Sequence, residues 1–213
     1  VHARIAGAEL ATRLPAEQAA RIVGDLLTDP EPEVAGMAAR SAASLGDLEL
    51  GNRVVTMLAT PAMRKHAKAA LVLFGKQLIP RLAELLADGR TDLAVRREIP
   101  WVLARIGGKS STRSLVANLN LDDRLSRYRI VKALNHLHEY DPESHKSNPV
   151  VAEQLLMEIR NYYESLAITR SLEDQPEGLL ARAIRERLDE DLEIIFRLIG
   201  LQYPQKDIYH AYT

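Results

Sequence analysis

Cysteine is absent from the chain, which excludes disulfides and zinc–thiolate sites and fits a cytosolic setting. Aromatic residues make up only 5%, and there are just 11 glycines and 10 prolines. With 46% hydrophobic residues, led by Ala and Leu, that scarcity favours helices over a sheet. A charge of one sign is also missing. The 28 Lys and Arg nearly cancel the 29 Asp and Glu, so a net charge of −1 gives no global field for nucleic acid or an anionic membrane. Long apolar runs are missing too. The longest, Ala69 to Phe74, falls well short of the roughly 20 residues a membrane span needs. No signal-peptide pattern is present. The chain opens on Val1 rather than Met and stops at His210-Ala211-Tyr212-Thr213 without a helix end, so a segment of a longer protein is expected.

What the chain does have is a repeat. Apolar anchors stand at Leu14, Leu45, Phe74, Ile106 and Leu137, spaced 31, 29, 32 and 31 residues apart. Other columns move with them. Ten positions earlier stand Arg4, Ala35, Arg64, Arg96 and Arg127. Seven earlier stand Gly7, Ala38, Ala67, Ile99 and Ile130, and three earlier Ala11, Ala42, Leu71, Leu103 and Leu134. That spacing is i, i+4, i+7, one apolar stripe on a helix. A short turn follows each anchor, then a second stripe such as Val54, Val55, Leu58 or Leu82, Leu85, Leu86. The unit is a helical hairpin that cannot bury its stripes alone. Stacked hairpins bury them continuously, so the expected fold is all-α, a right-handed α-solenoid of about five hairpins over 1–141.

These columns resemble HEAT repeats over roughly residues 1–140. The likeness is carried by the Asp29–Val34 turn, the Arg near the start of each first helix, the Leu45-Gly46 turn and Leu78–Leu86 as a second helix. Ala35 departs from the Arg column and His138 from the Gly column, so the fifth unit matches least.

The stretch Gly107-Gly108-Lys109-Ser110 looks like the end of a phosphate-binding loop. A Walker loop needs a first Gly at position 103, which is Leu103, and a strand before it, where the spacing is helical. Gly107 instead shares a column with Gly46 and Gly75, so the turn reading is preferred. A surface anion contact by Lys109, Ser110 and Arg113, with Ser111 or Thr112 as helix caps, stays open.

His136, His138 and His145 lie near Glu139, Asp141 and Glu143, but His136 and His138 are two apart and diverge on a helix. No metal site is expected. Arg64, Lys65, His66 and Lys68, with Arg96, Arg97, Arg127, Arg129 and Lys132, read as inter-repeat salt bridging rather than a phosphate ridge. Trp101, after Pro100 in a kinked first helix, reads as a core or inter-repeat ring. No catalytic pair or triad has supporting context, so no enzymatic activity and no cofactor are expected.

After Asp141 the period breaks. Val150–Leu172 and Glu177–Leu201 read as two long helices of about 35 Å each, with stripes Leu155, Ile159, Tyr162, Leu166 and Leu180, Ile184, Leu188, Leu192, Ile195, Ile199. Residues 147–201 are expected to form a long hairpin that continues or caps the solenoid, and 204–213 to start a further helix. Asp189–Thr213 resembles a segment of bacterial membrane proteins in which an ATP/ADP-carrier-like or major-facilitator-type domain is followed by HEAT repeats. Some of those also carry a cyclic-nucleotide-binding domain. The likeness rests on Asp191, Leu192, Phe196, Leu198, Gly200, Leu201, Tyr203, Pro204, Asp207, Ile208, Ala211 and Tyr212. It implies a cytosolic module, tethered to the inner membrane through another domain, that contacts a protein or another domain of the same chain. Tyr162, Tyr163, Tyr209 and Tyr212 are the candidate contact residues. A nucleotide- or anion-binding module at 107–113 and a HEAT-like enzyme acting on DNA bases or attaching bilins are the alternatives. Nucleic-acid binding and membrane insertion by this segment are not expected.

Overall fold

The computed structural model describes residues 1–139, 148–170 and 179–203. Every regular element among them is helical, and no strand occurs. The chain divides into two compact units, Val1–Ser114 and Leu115–Thr213. The helix carrying the fifth anchor therefore groups with the two long helices.

The first unit holds α1 (His2–Ala11), α2 (Ala16–Leu26), α3 (Pro32–Leu45), α4 (Leu48–Thr56), α5 (Pro61–Phe74), α6 (Ile79–Ala87), α7 (Leu93–Arg96) and α8 (Ile99–Ile106). A ninth helix, α9 (Gly108–Ala117), runs across the boundary. Short 3-10 segments, Met57–Ala59 and Gly75–Leu78, follow α4 and lead into α6. Starts are set by local chemistry. Pro32 and Pro61 sit in the first turns of α3 and α5, where a missing N–H costs nothing. The Asp47 carboxylate accepts from the Glu49 and Leu50 amides at 2.9 and 3.1 Å, capping α4.

The helices at the anchors pack in series, α1 on α3, α3 on α5 and α5 on α8. Between them α2 touches α1 and α3, α4 touches α3 and α5, and α6 touches α8. The two inner columns of the repeat are the reason: Ala38, Ala67, Ile99, Ala42, Leu71 and Leu103 are all fully buried. The anchor column is less so, and Leu14 lies exposed beyond the end of α1.

Gly36 shows how close the α3–α5 approach is. A Cβ built there would sit 2.5 Å from His66 Nδ1 and 2.9 Å from its Cβ, so the ring cannot swing clear without α5 shifting. Gly36→Ala is expected to cost about 1–3 kcal/mol by overpacking, although alanine is the better helix former. A urea unfolding midpoint that rises instead would show that α5 yields freely.

Pro100 corrects the sequence reading. It does not kink a continuous helix. The first helix of that hairpin is broken into α7 and α8, and Pro100 lies in the first turn of α8.

The second unit contains α10 (Arg124–His138), α11 (Pro149–Arg170) and α12 (Leu179–Gln202), with α12 packed on both others. The Asp123 carboxylate caps α10 through the Ser126 amide, 2.8 Å, and hydroxyl, 2.7 Å. On α11 the expected stripe Leu155, Ile159, Tyr162, Leu166 is only half-buried. The buried residues are Val151, Gln154, Glu158 and Ser165. On α12 the buried line runs through Leu188, Asp191, Ile194, Ile195, Leu198 and Leu201, partly rotated from the expected one. Two of these buried residues, Glu158 and Asp191, pair with Arg127 and Arg124 of α10.

Candidate functional site

The repeating arginines hold backbone and buried carboxylates rather than a ligand. Arg64 donates from Nε to the Leu58 carbonyl, 2.9 Å, six residues back. Arg127 does the same to Leu121 from Nη1, 2.8 Å, and adds Asp122 at 2.9 Å. Both therefore satisfy carbonyls just before the helix that carries them. Each also reaches a carboxylate about one repeat downstream: Arg4 to Asp29 at 2.6 Å, Arg64 to Glu98 at 3.7 Å and Arg127 to Glu158 at 2.9 Å. Those three carboxylates are buried. Arg96 breaks the pattern, with its buried Nε lacking a hydrogen bond.

In the second unit Glu158 also accepts from Gln154, 2.7 Å. Arg124 grips Asp191 at 2.7 Å, Glu190 at 2.6 Å and the Arg187 carbonyl at 3.1 Å. Glu193 lies between Arg197, 2.8 Å, and the Tyr128 hydroxyl, 3.1 Å. The Arg197 hydrogen bond first, and then the phenol, hold its carboxyl below the usual range. Burial first, and then donation to that carboxylate, raise the Tyr128 phenol.

At the glycine-rich turn, Gly107 has φ 75° and ψ −177°, and Gly108 has φ 81°. Gly75 and Gly46, one and two repeats earlier, also have positive φ, 66° in both. Lys109, Ser110 and Arg113 lie exposed on the first two turns of α9. Ser111 and Thr112 point inward and are buried, and the Ser111 hydroxyl is sealed from solvent without a hydrogen bond. It is thus unable to reach an ion at the surface.

The basic run on α5 separates by side chain. Arg64 and Lys68 converge on Glu98 at the start of α8, while His66 packs against Gly36. Trp101 is not a core ring, which corrects that half of the sequence reading, but it does meet Lys68 of the preceding repeat. It is 43% exposed, with Lys68 Nζ 5.0 Å and Arg105 Cζ 5.6 Å from the ring centroid.

The buried side of α11 is rotated from the expected one. Leu156 and Tyr163, seven residues apart on its outward line, are 67% and 64% exposed, while Val150, Met157 and Ile168 lie exposed along a separate line beside the buried one. Tyr162 is half-buried and meets Tyr163 edge to face, centroids 5.7 Å apart. Tyr203 is exposed just beyond the end of α12. Tyr209, Tyr212, His145, Asp141, Glu143 and the expected helix at 204–213 lie outside the described residues.

No family model and no curated protein matches this chain. Among solved structures it is similar to the crystal structure of an engineered protein. The two are 17% identical with a TM-score of 0.38, over 95% of this chain and 91% of that one. A likeness at that level carries no argument about fold or function.

His136 lies 3.8 Å from the Glu139 carboxylate, its near neighbour on the same helix end. Among the described residues no group of three His, Asp or Glu could hold a metal ion. No described helix is long and apolar enough to cross a membrane. Sequence reasoning missed the buried acids Glu98, Glu158 and Asp191 and the rotation of α11. A signal existed for the latter: Leu156 and Tyr163, at i, i+7, stand opposite the i, i+4, i+11 line of Gln154, Glu158 and Ser165.

Proposed function

We propose that Val1–Ser114 is a stack of HEAT-like hairpins and that the chain is a non-catalytic interaction module. Its partner is another protein or another domain of the same chain, met through the outward face of α11. The observation that carries this is the pair Leu156 and Tyr163, an i, i+7 line on the side of α11 away from its buried residues, 67% and 64% exposed. Large apolar side chains held at the surface mark contact sites, and Tyr163 is a residue type that anchors them. The HEAT reading is supported by two columns with structural duties, the positive-φ glycines and the carbonyl-binding arginines. The likeness of Asp189–Thr213 to transporter-linked segments supports a cytosolic appendage of a bacterial membrane protein.

The test uses a double variant, Leu156→Glu with Tyr163→Glu. Both side chains are exposed, so circular dichroism and melting should stay close to wild type, within about 0.5 kcal/mol per site. Binding to a purified partner should fall at least tenfold, since buried interface anchors are worth more than about 1.4 kcal/mol together. Binding that survives the double change moves the contact off α11.

A further inference from the structure

A second surface, in Val1–Ser114, has the chemistry to choose its own partner, independently of the α11 face. The geometry points to a cationic docking surface centred on Trp101, on α5 and α8, that takes an acidic peptide segment carrying an apolar side chain. Trp101 is the chain's one tryptophan, and it is 43% exposed. Lys68 and Arg105 lie over its ring. Lys68 is held from below by the buried Glu98 carboxylate, which Arg64 also approaches. The indole and Lys68 are thus fixed before anything binds, which lowers the entropy cost of binding. On α5 the exposed Lys65, one turn before Lys68, adds a further cation on the same side. Arg105 and Lys65 have no carboxylate partner among the described residues.

Charge complementarity selects an acidic partner. The net charge of −1 conceals an uneven distribution. Residues 1–114 hold sixteen Lys and Arg against twelve Asp and Glu, while 115–213 hold twelve against seventeen. The basic excess therefore lies in the unit that displays Trp101. The ring geometry selects a peptide over nucleic acid. Cations over the indole occupy a face on which a base would stack. The ring edge, with its positive quadrupole and its N–H donor, is suited to a carboxylate. The indole body then offers apolar contact that a bare phosphate backbone would not use. Trp and Arg are the residues most often found as interface hot spots.

The full chain is titrated with a synthetic amphipathic peptide of alternating Glu and Leu blocks. The single tryptophan reports directly, since burial of Trp101 shifts its emission to the blue. A labelled version of the peptide, followed by anisotropy, serves the variant that lacks the indole. Trp101→Ala and Arg105→Glu are each expected to weaken binding about tenfold or more, with helical content unchanged. Raising the salt should weaken wild-type binding as well. The same peptide with Lys in place of Glu should not bind. The proposal is overturned if the acidic peptide fails to bind, or binds equally well to both variants. It is also overturned if single-stranded oligonucleotide or phosphatidylserine-containing vesicles bind as tightly with the same Trp101 dependence. A salt-sensitive self-association lost in Arg105→Glu would place a second copy on the surface and overturn the peptide assignment. None of these results bears on the α11 double variant, so the two readings fail separately.

Discussion

Arg127→Ala is expected to remove about 3–5 kcal/mol of stability, the cost of stranding a buried charge. The Arg127 guanidinium donates to Glu158, 2.9 Å, and to the Leu121 and Asp122 carbonyls, 2.8 and 2.9 Å. The Glu158 side chain is 2% exposed, and its remaining hydrogen bond is to Gln154. Alanine at 127 would leave the carboxylate facing an amide alone and two carbonyls without their donor. Water would have to enter the gap or the helix would have to shift. The pair itself is not expected to be worth that much, because burying two charges costs nearly what their attraction returns. Arg127→Met combined with Glu158→Leu should therefore recover most of the loss. Urea unfolding followed by far-ultraviolet circular dichroism measures all three proteins. A single Arg127→Ala variant within 1 kcal/mol of wild type would mean that the carboxylate is solvated and the ion pair is a surface one.

Gly107→Val is the second large effect, expected at about 2–3 kcal/mol. Gly107 combines φ 75° with ψ −177°, a region that only glycine occupies readily. No atom lies within 4 Å of a Cβ built there, so the cost is backbone strain rather than collision. A β-branched side chain makes the strain worse. Gly46 offers the contrast. At φ 66° and ψ 19° it is in the left-handed helical region, which asparagine also enters, so Gly46→Asn should cost well under 1 kcal/mol. Lys109→Ala, an exposed change two residues on, should stay within about 0.5 kcal/mol. Calorimetry with ATP, ADP and cyclic nucleotides should show no binding to wild type. Micromolar binding lost in Lys109→Ala would reverse the turn reading and make the 107–113 segment an anion site.

Much of the first unit was legible because its signals are local and repeated. Ala42, Leu71 and Leu103 stand three residues before an anchor, and all are fully buried. Glycine after the anchor marks a left-handed turn at 46, 75 and 107, and its replacement by His138 coincides with α10 continuing through that position. Local periodicity failed where side-chain chemistry competes with it. On α11 the apolar residues Leu155, Ile159, Tyr162 and Leu166 were expected inside, yet Glu158 and Gln154 are more deeply buried. Arg127, thirty-one residues away, draws Glu158 inward. No rule of spacing along α11 contains that arginine. Trp101 was expected in the core or between repeats: it meets Lys68 from α5 and Arg105, yet stays 43% exposed rather than joining the core.

The sequence by itself determined that the described chain is helical, where the hairpins turn, and which columns of Ala, Leu and Ile are buried. Those properties follow from backbone dihedral preferences and from apolar area at fixed spacing, both of which act within about ten residues. Only the tertiary structure decided which carboxylates are buried, how far Trp101 is exposed and which side of α11 is buried. Each of these depends on a charged or aromatic group meeting a partner about thirty or more residues away, such as Arg127 with Glu158, Lys68 with Trp101 and Arg124 with Asp191. Ion pairs at such distances in sequence leave no periodic trace, because the partner of each buried carboxylate lies on another helix.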